Sequence, residues 1–144
     1  MQTLTSDVYL EGLVFGECPR WHEGALWLSD MFGGRVLRST GAEKAETVLE
    51  LQGGRPSGLA FLDDGSLLVV SMLDRKLLRR LPDGRVEPFA DLAPHVTGDI
   101  NDMVRAPDGG VFVGNFGFDL FAGAEGRLTN LHHVDASGRV REVA

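Results

Sequence analysis

Apolar residues in this chain fall in short alternating runs, not at helical i, i+3, i+4 spacing, and each run is bracketed by a glycine-containing turn. Leu26-Trp27-Leu28-Ser29, Leu67-Leu68-Val69-Val70 and Val111-Phe112-Val113-Gly114 are the clearest of them. Each follows a turn glycine (Gly24, Gly65, Gly109), giving a pitch of 41 and then 44 residues. A repeat of about 40–50 residues holding four short strands is the signature of propeller blades. The pattern therefore predicts an all-β chain, a partial β-propeller with three four-stranded blades.

Blade one is expected over 16–51, with strands at Pro19–Trp21, Leu26–Ser29, Arg35–Ser39 and Glu46–Leu51. Blade two is expected over 55–92, with strands at Gly58–Phe61, Leu67–Ser71, Lys76–Leu81 and Val86–Asp91. Blade three, over 98–144, takes Asp102–Arg105, Val111–Asn115, Leu131–Asp135 and Val140–Val143. Its long glycine-rich middle loop, Phe116–Asn130, is either an entrance lid or decoration. Ser6–Val14 also alternates and is predicted to be a closing strand for the last blade of a ring, which would hide an exposed edge. Three blades cannot close a ring alone. A symmetric homodimer would carry a surplus strand in each chain, so a second half-propeller from the same or a separate polypeptide fits the strand count better.

Composition narrows the partners. The net charge of −7 disfavours nucleic acid, which needs a basic face. Arg75, Lys76, Arg79 and Arg80 have the spacing of a solvated strand face. No apolar run reaches the roughly 18–20 residues that span a bilayer, so no membrane partner is expected. The first ten residues lack the basic start and apolar stretch of a secretory leader. A single cysteine, Cys18, suits a reducing compartment, and a cytoplasmic location is the expectation.

The inner strand of each blade lines the central channel. Counting back from the turn glycines reaches Glu17, Ser57 and Asn101, with blade one a residue shorter in that stretch. A carboxylate with hydroxyl and amide oxygens suits a hard cation such as Ca²⁺, which takes six to eight oxygen ligands. The same residues also serve as plain turn formers, as Asx- or Ser-type turns. Zinc fits poorly, because no Cys/His cluster with ligand spacing is present. A Gly-x-Ser-x-Gly elbow is missing, and Cys18 reads as a packing residue without a histidine partner. His132 and His133 would face opposite sides of a strand, while His22 and His95 read as surface residues in turns. Asp99-Ile100-Asn101-Asp102 lacks the sixth-position glycine of an EF-hand loop.

Three motifs in order add a resemblance. Gly16-Glu17-Cys18-Pro19-Arg20-Trp21, Arg55-Pro56-Ser57-Gly58-Leu59-Ala60-Phe61 and Asn101-Asp102-Met103-Val104 with Pro107-Asp108-Gly109 resemble the first three blade openings of the SMP-30/gluconolactonase (regucalcin-like) family. The resemblance runs over about residues 8–144 and corresponds to the first half of the family's usual length. It implies a six-bladed propeller with one divalent metal ion, most often Ca²⁺, in the channel, and hydrolysis of lactones or related esters. It makes Glu17 the metal ligand and puts Asn101 near metal and substrate, with the remaining ligands and the general base in later blades. The cation would polarise the lactone carbonyl and activate a water. Ser57, Asn101 and Asp99 are the candidate substrate-binding residues. Asp99 stands where sugar-lactone-hydrolysing relatives carry arginine, which places a sugar-lactone substrate in question. It is either a further channel carboxylate or the turn residue of Gly98-Asp99. The competing expectations are a non-catalytic propeller scaffold and an inactive half-propeller that self-associates through its open blades.

Overall fold

The computed structural model describes residues 4–42 and 44–144. Twelve strands follow one another: β1 (Gly16–His22), β2 (Ala25–Asp30), β3 (Arg35–Gly41), β4 (Lys44–Glu50), β5 (Pro56–Phe61), β6 (Leu67–Ser71), β7 (Lys76–Arg80), β8 (Val86–Asp91), β9 (Ile100–Arg105), β10 (Val111–Asn115), β11 (His132–Val134) and β12 (Val140–Glu142). They form three antiparallel four-stranded meanders, β1–β4, β5–β8 and β9–β12. This is the expected all-β, partial-propeller architecture. Among the described residues, no helix is long and apolar enough to cross a membrane.

The meanders stack face to face, so the core lies between blades. Val36, Leu59, Leu67 and Val69 fill the space between the first and second blades, walled by Trp27 and Phe61. Met72, Leu77, Leu92, Ile100, Met103, Val111, Val113 and Val134 fill the larger space between the second and third. Each such side chain contributes about 1.5–3 kcal/mol when fully buried. The middle blade is covered on both faces, which is why all five residues of β6 are buried. The first and third blades each keep one open face, so β1 and β9 alternate between covered and exposed positions.

Turn chemistry matches the pleat. Glu23 (φ 48°) and Gly24 (φ 73°) form a two-residue turn with both φ values positive, the type that follows strand twist. Blades two and three close through three residues, Asp63-Asp64-Gly65 and Pro107-Asp108-Gly109, clasped by Leu62 N–H to Ser66 O (2.8 Å) and Ala106 N–H to Gly110 O (2.9 Å).

Ser6–Val14 pairs with no strand among the described residues, which do not include the last blade of a ring that it is expected to close. The segment is instead tied to blade one at its end. Asp30 Oδ1 accepts the N–H groups of Val14 (2.9 Å) and Phe15 (2.8 Å), and Arg35 donates to Gly12 O (2.9 Å). His22 is not a free surface residue. It stacks on Phe61 at 3.6 Å between ring centroids and so joins blades one and two. His95 is exposed, and the buried His132 and His133 part company, His133 alone contacting Asp108 and Arg141.

Candidate channel site

Antiparallel meanders bring the starts of β1, β5 and β9 to one face, beside the ends of β2, β6 and β10. Equivalent pairs open each ladder: Gly16 with Asp30, Pro56 with Ser71, Ile100 with Asn115. One step outward, equivalent backbone bonds recur: Met31 N–H to Phe15 O (2.8 Å), Met72 N–H to Arg55 O (3.0 Å) and Phe116 N–H to Asp99 O (3.0 Å). The shared register sorts the inner-strand residues into tiers. Phe15, Arg55 and Asp99 form the rim; Glu17, Ser57 and Asn101 lie two residues further in; Cys18, Gly58 and Asp102 follow. Each inner-strand ladder shifts register beside these tiers, between Glu17 and Arg20, Pro56 and Leu59, and Ile100 and Met103, turning side chains that a flat strand would aim elsewhere.

Ser57 and Asn101 meet directly, the Ser57 hydroxyl donating to Asn101 Oδ1 at 2.7 Å. Ser57 is held by its own backbone, whose carbonyl accepts the buried Ser29 hydroxyl at 2.6 Å. Glu17 lies beside them with a different status: its Oε1 is buried and has no hydrogen-bond partner. Burial raises the Glu17 pKa, the Ser57 hydroxyl offsets part of that rise, and the Asp102 charge adds to it. Asp99 is half-buried, and burial raises its pKa too, against the pull of Arg75 and with Asp119 adding to the rise.

Cys18 is not simply packing. Its thiol donates to Asp102 Oδ1 at 3.2 Å and lies 3.9 Å from the Ser57 hydroxyl. Burial, the Asp102 hydrogen bond and the charges of Asp102 and Glu17 push its pKa up to about 12, so it is a thiol and not a nucleophilic thiolate at neutral pH. Arg20 is a further residue the sequence reading passed over. Its guanidinium donates to Pro19 O (3.0 Å), Leu59 O (3.0 Å), Met103 O (2.9 Å) and Asp102 Oδ1 (3.1 Å), joining β1, β5 and β9. The signal for it was its place between Pro19 and Trp21 on an inner strand; its reach across two blades was not legible.

The donors around Glu17 are a carboxylate, a hydroxyl and an amide oxygen, the chemistry of a hard cation. They supply only part of a coordination shell. Among the described residues no group of three or more His, Cys, Asp or Glu side chains converges on one point.

The sequence profile of the SMP-30/Gluconolactonase/LRE-like region matches residues 15–144. The chain belongs to this family. No curated protein sequence matches it. Among solved structures it is similar to a gluconolactonase from Xanthomonas campestris, at 21% identity and a TM-score of 0.70, covering 92% of this chain and 48% of that one. A luciferin-regenerating enzyme has a TM-score of 0.72 at 21% identity, with 90% of this chain and 45% of that one covered. A calcium-binding protein, regucalcin from Agrobacterium tumefaciens, has a TM-score of 0.67 at 24% identity, with 90% and 43% covered. The chain thus spans about half the length of these relatives, and at such identities the likeness is one of fold.

Proposed function

We propose that the chain carries part of a metal-dependent site that hydrolyses lactones or related esters. The buried, unpartnered Oε1 of Glu17 carries this reading, because a carboxylate oxygen removed from water without a hydrogen bond is costly unless a cation meets it. Family membership and the gluconolactonase and calcium-binding relatives support it. Glu17 would hold the cation, Ca²⁺ first, with Asn101 and Ser57 presenting oxygens toward a lactone substrate. When bound, such an ion supplies Lewis-acid polarisation of the ester carbonyl.

The chain's own residues position the reactants. Ser57 donates its hydroxyl proton to Asn101 Oδ1, which orients the amide. The Cys18 thiol keeps its proton. Direct attack by water is therefore the route these residues suit, with a general base and further ligands from a second half-propeller, in the same or a separate chain. A cytoplasmic setting belongs to the same proposal.

The test is calorimetric titration of the chain, alone and with the complementary blades, with Ca²⁺, together with pH-stat hydrolysis of glucono-δ-lactone by the complete assembly. Ca²⁺ binding and turnover that both disappear in Glu17→Gln are expected. An assembled ring that turns over the lactone equally well with Glu17→Gln would overturn the assignment.

A further inference from the structure

Arg55 occupies the rim tier in blade two, two residues before Ser57, which on an extended strand is about 7 Å of chain. Its environment is unusual for a surface arginine. The guanidinium carbon lies 4.2 Å from the ring centroid of Phe121 and 5.2 Å from that of Phe32, so two rings hold the cation. Phe32 comes from the β2–β3 loop and Phe121 from the β10–β11 loop, so loops of the first and third blades meet over a residue of the second. Phe32 packs edge-on against both Phe15 (5.3 Å) and Phe121 (6.1 Å), and Phe116 packs edge-on against Phe121 (6.4 Å), making an aromatic collar around the cation.

Inside that collar the guanidinium makes no ion pair within 4.0 Å of any described carboxylate, and its Nη1 is buried without an acceptor. Asp99 and Asp119 face the same region, Asp99 near enough for the Arg55 charge to lower its pKa. A cavity of about 640 Å³ opens beside the collar between residues 31–35 and 50–55, with Arg55 on its wall. The neighbouring cation there, Arg35, is already committed to the buried Asp30 at 3.0 Å. Aromatic faces hold a guanidinium flat and leave its N–H edge free, and that planar fork matches a carboxylate with two parallel hydrogen bonds.

We propose that Arg55 is the anion-recognising residue of a substrate subsite at the channel rim, one that accepts a carboxylate carried by the lactone or ester away from the bond that is cut. This deepens the proposed hydrolase reading and rests on it. The aromatic collar holds the cation, and the β10–β11 loop that contributes Phe121 closes the subsite. Neutral lactones lack the group that Arg55 reads and are the poorer ligands.

The probe is D-glucarate, a hydroxylated dicarboxylate, with sorbitol as its uncharged counterpart, titrated into the full chain by calorimetry in chelator. Glucarate binding and no heat from sorbitol are expected. Arg55→Met should weaken glucarate at least tenfold, and Arg55→Lys, which keeps the charge but loses the fork, should fall between. Phe121→Ala should weaken it while leaving Arg55 in place, and thermal melts identify any variant that is merely unfolded. Equal glucarate affinity in the wild-type chain and a folded Arg55→Met, or no glucarate binding at all, overturns the proposal. Glu17→Gln in chelator separates the two readings: it should leave glucarate binding intact, whereas loss of Ca²⁺ binding or turnover bears on Glu17 alone.

Discussion

Glu17 combines two properties that pull against each other. Its buried, unpartnered oxygen weakens the fold, and the same oxygen is what a cation needs. Because its pKa is raised, the folded chain binds more protons than the unfolded one between the ordinary value of 4.5 and the folded value. Stability contributed by the protonated form is therefore present below that window and is lost as pH climbs through it. Cation binding runs the opposite way, strengthening with pH over the same range because the carboxylate must be ionised. Glu17→Gln should raise the unfolding free energy at pH 7 by about 1 kcal/mol, with the gain vanishing toward pH 4; chemical denaturation at a series of pH values checks it. The position of Glu17 was legible from the sequence: counting back from the turn glycine works, since the one-residue difference between blades lies in the Glu23-Gly24 turn. The thiol–carboxylate contact of Cys18 was not, because Asp102 lies two blades away.

Among the strands, β5 sets how closely the blades approach. A Cβ at Gly58 would lie 2.6 Å from the Met103 backbone nitrogen and 3.0 Å from the Asp102 carbonyl carbon. The neighbour is backbone of β9 and cannot swing aside. Gly58→Ala should cost about 1–3 kcal/mol through overpacking and loosen the Ser57–Asn101 contact, measurable as a lower urea midpoint. The strands themselves were legible because a half-covered sheet imposes period-two alternation, as in β10. Ser6–Val14 shows where that signal stops: alternation marks a segment able to pair, and pairing needs a partner that local sequence does not supply. His22 misled for a similar reason, its stacking partner Phe61 lying on another blade.

Across the whole molecule, the three blades are joined by two interblade cores and, at the axis, by Arg20. Replacing Arg20 with Met keeps much of the aliphatic stem but leaves the carbonyls of Leu59 and Met103 without this donor. A loss of about 2 kcal/mol is expected, with thermal unfolding remaining cooperative. Two separate transitions by calorimetry would mean that the blades hold independently of this contact. The repeat made the blade count legible at this scale, whereas the aromatic collar around Arg55 was not, because it gathers residues from three loops that have no common spacing.

The recurring register gives every axial position a two-part address, blade and step, whichever side chain fills it. Glutamate, serine and asparagine at one step, or phenylalanine, arginine and aspartate at another, are exchanges of occupant at a shared address. Charge at the mouth can therefore be relocated around the axis by trading residues between blades while the interblade cores stay untouched. Gly58 is the locked address: there the neighbouring backbone fills the space a side chain would need.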